Sequence, residues 1–422
     1  MPLSSTLLIV GAALSVLWLL LGYVVLRSGK NVPPLAGVLA RGSASRGPGG
    51  AEAAPPLPTL SVVLTARDER ARIERAVRSV LTQDYPGLEI VAVDDRSSDG
   101  TTEILERLAA GAPGRLDVVH VRALPDGWLG KCHACHAGAA RTRGDWILFM
   151  DGDVELLSGE LLSRVVALTT RDRLDHVALI PDSRPMSRLQ AGLMAVFAQM
   201  YLAASRAYEM HRDLPRGGGG IGAFNLVRRS AYDRIGGHTL LRFDLADDFK
   251  LGRLLKESGA RQRFYDAGGL VGCPWHEGAL NVVRGLEKNF FAGFDYSLAQ
   301  LGAFTLVVLA LTFGPAIIAV LGRTGAATVP LLIQTCFILA IAARQSPRLG
   351  TGPWTLAVLN PISILLLLAA AWNSAVRTLL RGGVLWRGRF HGLAELRAGL
   401  VRAGVGRRIA RTDSRRAERP RP

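Results

Sequence analysis

An α/β domain on a mostly parallel sheet, accompanied by transmembrane helices, is the architecture that this 422-residue chain predicts. Three observations predict it. Short apolar runs rich in β-branched residues alternate with charged, helix-like segments from Thr59 to Met150, the pattern of strand–helix–strand units. Long uncharged apolar runs flank that block on both sides. Acidic clusters recur where the predicted strands end, which is where open α/β sheets bind ligands.

Leu7–Leu26 is an apolar run of membrane-spanning length, followed by Arg27 and Lys30. It has no basic stretch before it and no cleavage site after it, so residues 1–30 read as an uncleaved anchor with the following block on the cytoplasmic side. Residues 31–58, rich in Gly, Ala, Ser and Pro, read as a flexible linker. The soluble block, residues 59–297, opens with a strand at Thr59–Thr65. A helix at Glu69–Leu81, a turn at Tyr85-Pro86-Gly87 and a strand at Leu88–Val93 follow. A helix at Thr102–Ala110, a strand at Val118–Val121, a helix at Lys131–Arg141 and a strand at Trp146–Met150 complete the run. Leu189–Tyr208 reads either as an interfacial segment or as a buried helix, and Phe249–Glu257 as a further helix. Residues 298–376 hold three more apolar stretches, Leu298–Leu321, Ala326–Ala343 and Trp354–Ala375. The middle one is short for a full span, and Gly314-Pro315 predicts a kink in the first.

The net charge is +16, and residues 377–422 carry about +10 of it, with 13 Arg, no Lys and three acids. A basic tail directly after a membrane span matches anionic lipid headgroups. No aromatic-and-basic binding face accompanies it, so no nucleic-acid partner is expected. The tail also creates a conflict. Three late spans starting from a cytoplasmic domain would leave it outside, whereas its charge favours the inside. The expectation is a multi-pass cell-membrane protein with catalytic block and tail both cytoplasmic, one late segment not crossing fully.

Asp151-Gly152-Asp153 follows the strand Trp146–Met150. In extended chain, side chains at i and i+2 share a face, so two carboxylates there suit a hard divalent cation, Mg or Mn, completed by phosphate and water. A solvated acidic turn is the alternative. Asp68-Glu69 and Asp94-Asp95 stand at two other strand ends. Carboxylates in such places accept hydrogen bonds from a base or a ribose, or serve as helix cap and polar strand exit. Asp247-Asp248 precedes a helix and reads as a proton acceptor or as its cap. Cys132-His133-Ala134-Cys135-His136 has the c-type haem spacing, which would make the chain a membrane haem or redox protein. A zinc site there lacks a second cysteine pair, since Cys273 and Cys336 stand apart, and the run reads better as part of a helix.

Taken together, Thr65–Glu69, Val93–Thr101, Gly127–Lys131, Met150–Asp153, Gly217–Phe224 with Asn225–Arg229, and Asp247-Asp248 resemble the inverting family 2 glycosyltransferases. They do so in family order from Leu60 to Leu255. The resemblance implies a GT-A nucleotide-diphospho-sugar transferase domain. The anchor, late spans and Trp386-Arg387-Gly388-Arg389 are similar to the membrane branch with ceramide-glucosyltransferase-like and hopene-associated enzymes.

By that resemblance Asp68, Glu69, Asp94 and Asp95 hold the nucleotide-sugar, UDP-linked in most of the family. Asp153 with Asp151 binds the divalent metal that neutralises the departing diphosphate, and Asp151 also faces the donor. Lys131 adds positive charge there or is a solvated lysine at a helix start. Asp248 is the base, with Asp247 beside it, and Gly219, Gly220 and Gly222 belong to a mobile loop that meets the acceptor. The Gln-x-x-Arg-Trp string of processive members is missing. Trp275-His276-Glu277 and the stretch with Arg284 and Lys288 stand in its region, with Arg284 or Lys288 as substitutes for its charge. The expected activity is transfer of a single sugar to a lipid acceptor at the cytoplasmic face, with a polysaccharide synthase as the enzymatic alternative.

Overall fold

The computed structural model describes residues 3–44, 56–274, 278–287, 289–322 and 325–417. Trp275-His276-Glu277, Lys288 and the 45–55 portion of the expected linker lie outside the described residues. The chain forms two compact units, residues 31–183, 205–274 and 398–422 in one, and 1–30, 184–204 and 275–397 in the other.

The first unit is built on nine strands: β1 (Leu60–Ala66), β2 (Glu89–Asp95), β3 (Leu116–Val121), β4 (Trp146–Asp151), β5 (Glu155–Leu156), β6 (His176–Ile180), β7 (Asn225–Arg228), β8 (Gln262–Asp266) and β9 (Val271–Gly272). Seven of them make one sheet in the order β3-β2-β1-β4-β7-β6-β8, while β5 and β9 pair separately. The run from β3 to β4 is parallel, β7 is antiparallel to both β4 and β6, and β6 is parallel to β8. The predicted mostly parallel α/β sheet is therefore present. Register matters most for function: Ala66 pairs with Asp94 and Thr65 with Asp151. The acidic ends of β2 and β4 thus reach the same sheet edge on either side of β1.

The central strands are buried on both faces, so they read as unbroken apolar runs. Val62 and Leu64 pack on one face with Ile73, Val77 and Val80 of a helix at Ile73–Leu81. Val63, Val93 and Phe149 pack on the other with Ala134 and Cys135 of a helix at Gly130–Arg141 and Leu251 and Leu254 of a helix at Asp247–Glu257. Truncating such a side chain, Leu64→Ala for instance, costs about 2–5 kcal/mol.

Two regions expected to be loose are folded. Within the expected linker, Leu35–Ala44 is a helix with Leu35 fully buried. Asn31 donates to the carbonyls of Ala207 and Tyr208, and the Pro33 carbonyl accepts from the Asp266 N–H. Residues 31–44 therefore belong to the α/β unit: Leu35 and Leu39 fill its core, an apolar pull that the Gly-, Ala- and Ser-rich average conceals. In the expected basic tail, a hairpin of β10 (Gly383–Trp386) and β11 (Arg389–Gly392) is followed by helices at Leu393–Ala398 and Val405–Ala417. The last helix joins the α/β unit. Val401 is buried in the core, and Val405 and Ile409 pack against it.

Among the described residues, the second unit contains four helices long and apolar enough to cross a membrane: 5–30 within Leu3–Lys30, Leu298–Gly322, Gly325–Leu349 and Pro353–Arg381. The third is 25 residues long because it adds Arg344, Gln345 and Arg348 beyond the apolar stretch, and the first late helix runs unbroken through Gly314-Pro315. A Cβ at Gly22 would overlap the Phe337 ring, which is why the first and third helices can approach so closely. Arg188–Ala204, the heart of the segment read as interfacial or buried, is a helix of this unit.

Candidate active site

Asp151 is the last residue of β4, and Asp153 follows in the turn beyond it. The two do not both extend from the strand as expected. The Asp151 backbone N–H donates to the Gly222 carbonyl at 3.0 Å, and Asp151 Oδ1 lies 2.7 Å from Lys131 Nζ. Lys131 opens the helix Gly130–Arg141 and is no solvated lysine: 23% of its side chain is exposed. Burial disfavours its charge, but Asp151, Asp247 and Asp248 together hold its pKa well above the ordinary value. Burial, and then the negative charge of Asp151, push the Asp153 carboxyl above its usual range. Arg72 and Lys131 offset this only in part, and a raised, half-buried carboxyl beside another is a hard oxygen donor, which fits a divalent cation.

Asp247 and Asp248 form the first turn of the helix Asp247–Glu257. No side-chain cap bond is made there; the cap residue is Ala246. Asp248 Oδ2 accepts from the Gly222 N–H at 2.8 Å and Oδ1 from the Phe249 N–H at 2.7 Å. Asp247 is buried, and burial, with Asp248 and Asp151 adding to it against Lys131, raises its pKa to about 7. Thr65, Lys131, Asp151, Gly222, Asn225, Asp247 and Asp248 line one pocket. One cation and three carboxylates therefore share a cleft at the sheet edge, a set that can hold a charged ligand and move a proton.

Asp68 and Asp94 lie in the adjoining loops. Asp68 has φ 56° and accepts from the Ser98 N–H at 2.8 Å and the Ser98 hydroxyl at 3.2 Å. Glu69 donates its N–H to Thr101 Oγ1 at 2.8 Å. Neither caps the next helix, which starts at Ile73 behind Arg72. Asp94 is buried and accepts from the Ser97 N–H and the Thr102 hydroxyl at 3.1 and 2.6 Å. Burial alone would raise its pKa, but the Ser97 and Thr102 bonds outweigh it and hold the carboxyl low. Asp95 is bound by Arg96, with contacts of 2.8 and 3.1 Å. It braces the loop, whereas Asp68 and Asp94 organise its turn.

The glycine loop departs from expectation. Gly219 and Gly220 are buried, and Gln262 donates to the Gly219 carbonyl at 3.0 Å. A Cβ on Gly252 would sit 1.8 Å from the Gly219 carbonyl oxygen, and one on Gly220 would sit 2.3 Å from the Asp248 carbonyl oxygen. These glycines let backbone meet backbone behind the Asp247–Asp248 turn. They are core, not a mobile loop, while Gly222 reaches the pocket.

His238, Cys135 and Asn225 also line the cleft and carried no functional expectation. Cys135 was legible only as part of the haem-like spacing. Cys132 and Cys135 are both buried, and the Cys132 thiol lies 3.4 Å from the Asp244 carbonyl. His136 stacks on Trp128 at 4.9 Å. The run is a helix, as expected, and its thiols face the protein interior, where no haem could reach them.

Residues 61–236 match the family model for Glycosyl transferase family 2. A 4,4'-diaponeurosporenoate glycosyltransferase of Staphylococcus haemolyticus (strain JCSC1435) is 25% identical over 238 residues, 56% of this chain and 62% of its own length. One of Staphylococcus aureus (strain bovine RF122 / ET3-1) is 23% identical over 237 residues, 56% of this chain and 61% of its own. The matches thus span less than two thirds of these relatives. Among solved structures, the mannosyltransferase PcManGT from Pyrobaculum calidifontis, in complex with GDP-Man and Mn2+, aligns with a TM-score of 0.51 at 17% identity, covering 89% of this chain and 99% of its own. Residues 61–236 thus resemble a family 2 glycosyltransferase domain, and the α/β unit has a GT-A type fold.

Proposed function

We propose that the protein transfers a single sugar, with inversion, from a nucleotide-sugar to a lipid acceptor at the cytoplasmic face of the membrane. The observation that carries this reading is the shared cleft of Lys131, Asp151, Asp247 and Asp248, with Asp153 one turn away. The relatives are named for 4,4'-diaponeurosporenoate, a lipid-like acceptor, and four helices here are apolar enough to cross a membrane. The missing Gln-x-x-Arg-Trp string favours one transfer over polymer extrusion.

In this reading Asp68, Glu69 and Asp94 hold the nucleotide, and Asp95 braces their loop. Asp153, with the free oxygen of Asp151, holds Mg or Mn. When bound, that cation neutralises charge on the departing diphosphate as a Lewis acid. Lys131 offsets part of the repulsion among the three carboxylates of the cleft. Asp248, oriented by the Gly222 and Phe249 N–H groups, takes the proton of the acceptor hydroxyl. Asp247, its pKa raised to about 7 by burial, is protonated in part near neutrality and so competes less for that proton.

The test is incubation of purified protein with a panel of UDP- and GDP-sugars and a membrane lipid extract, read by mass spectrometry. Lipids gaining one hexose or N-acetylhexosamine are expected. A ladder of repeated sugars would instead identify a polysaccharide synthase, and absence of any glycolipid across the panel would refute the reading.

A further inference from the structure

The cleft floor holds a group that sugar transfer does not use. Cys135 projects from the helix Gly130–Arg141, His238 stands on the turn Gly237–Thr239, and Asp247 opens the next helix. One ligand atom from each lies within 4.8 Å of the others. All three side chains are buried, at 3, 1 and 4% exposure. We propose that Cys135, His238 and Asp247 form a binding site for a borderline-soft divalent cation of the Zn2+ class, separate from the Asp151–Asp153 carboxylates.

Donor chemistry separates the two sites. Thiolate and imidazole select Zn2+ or Co2+, whereas carboxylate with phosphate and water selects Mg2+ or Mn2+. Ordinary zinc bond lengths put tetrahedral ligand atoms about 3.5 Å apart, so ligand atoms within 4.8 Å of one another have to close by up to about 1.3 Å. Three protein ligands would leave one tetrahedral position for water or another donor.

The surroundings orient the ligands. Tyr232 Oη is 2.9 Å from His238 Nδ1 and also accepts the His238 backbone N–H at 3.1 Å. That clamp leaves Nε2 as the ligating nitrogen, the usual arrangement in which a second group fixes a metal-binding imidazole. The Phe149 ring packs edge-on against the imidazole at 4.8 Å and excludes water from it. Burial, reinforced by Lys131, pushes the His238 pKa down to about 3, so the ring is neutral, as a ligand must be. Burial keeps the Cys135 thiol protonated and raises Asp247, so binding releases the thiol proton, and the proton on Asp247 where it is protonated, to solvent as the metal bonds form.

Co2+ titration of the purified full-length protein, without nucleotide or acceptor, tests the proposal. One Co2+ per chain should bind, with a thiolate-to-cobalt charge-transfer band in the near ultraviolet that stoichiometric Zn2+ abolishes and excess Mg2+ does not. Cys135→Ser should lose the band, and Cys132→Ala and Asp153→Asn should keep it. Tyr232→Phe, which retains the ring, should weaken binding about 10–100-fold. Absence of the band in the wild-type protein, or its survival in Cys135→Ser, overturns the site. The measurement involves no sugar transfer, so its failure and a failure of the transferase reading are distinguishable.

Discussion

Lys131 Nζ and Asp151 Oδ1 form a 2.7 Å ion pair at the mouth of the cleft. The pair occupies one oxygen of the first carboxylate in Asp151-Gly152-Asp153, which makes Asp153 the main candidate for the metal. Asp153→Ala should therefore abolish metal-dependent transfer while the circular dichroism spectrum and melting temperature stay near those of the parent. Retained activity in this variant, or activity indifferent to excess chelator, would remove the metal from the mechanism.

Loss of the cation tests the other half of the pair. Lys131→Met leaves Asp151, Asp247 and Asp248 facing one another without counter-charge. Turnover should drop and the pH–rate profile should move to higher pH, as like charges resist ionisation. A lowered rate with an unshifted profile would restrict Lys131 to donor binding.

Asp248→Asn keeps side-chain size but removes the proton acceptor. Turnover should fall roughly 10²–10⁴-fold, with nucleotide-sugar affinity, measured by calorimetry, nearly unchanged. A larger effect from Asp247→Asn would transfer the base to its neighbour.

Stability should carry the mark of Asp247. Its pKa in the folded state, about 7, lies above the ordinary 3.8 because of burial. The native protein then binds more protons than the unfolded chain between those values. This contribution to stability is present at low pH and is lost as pH rises to about 7. Asp247→Asn should accordingly gain melting temperature relative to the parent at pH 8 and lose that advantage near pH 4.5. A constant difference across the range would contradict the shift.

Topology can be tested through two exposed residues of the α/β unit, Ser98 beyond β2 and Arg408 on the last helix. Lys250 Nζ donates to the Val401 carbonyl at 2.7 Å, and the Gly404 N–H to Glu257 Oε2 at 2.8 Å. A segment bonded in this way is expected on the same side of the membrane as the rest of its unit, which predicts an even number of crossings between them. With native cysteines replaced, single cysteines at Ser98 and Arg408 should both resist an impermeant reagent in intact cells and both react after permeabilisation. Labelling of only one in intact cells would show an odd number of crossings.

The parallel half of the sheet was legible because its strands are continuous apolar runs separated by charged helices. The acidic ends of β2 and β4 were legible for the same reason, since strand ends locate them. β6, β7 and β8 were not. Each is four or five residues long, and β7 enters the sheet antiparallel, a pairing set by distant partners with no local signal. Gly219 and Gly220 misled because a glycine run has one appearance whether it flexes or packs against backbone. His238 gave no sign at all, since its neighbour Cys135 lies far from it in sequence and Asp247 stands beyond an intervening loop.

The bond between Lys250 and Val401 joins residues 151 positions apart. On the ribosome, the Asp247–Glu257 helix emerges long before its partner, and all three late apolar helices are made in between. Such distant closures are slow and come late. A nascent chain can therefore insert its helices while the carboxylate turn still lacks its rear support. The α/β unit is completed by residues translated only after those helices, so a chain terminated before Val401 should reach the membrane without becoming an active enzyme.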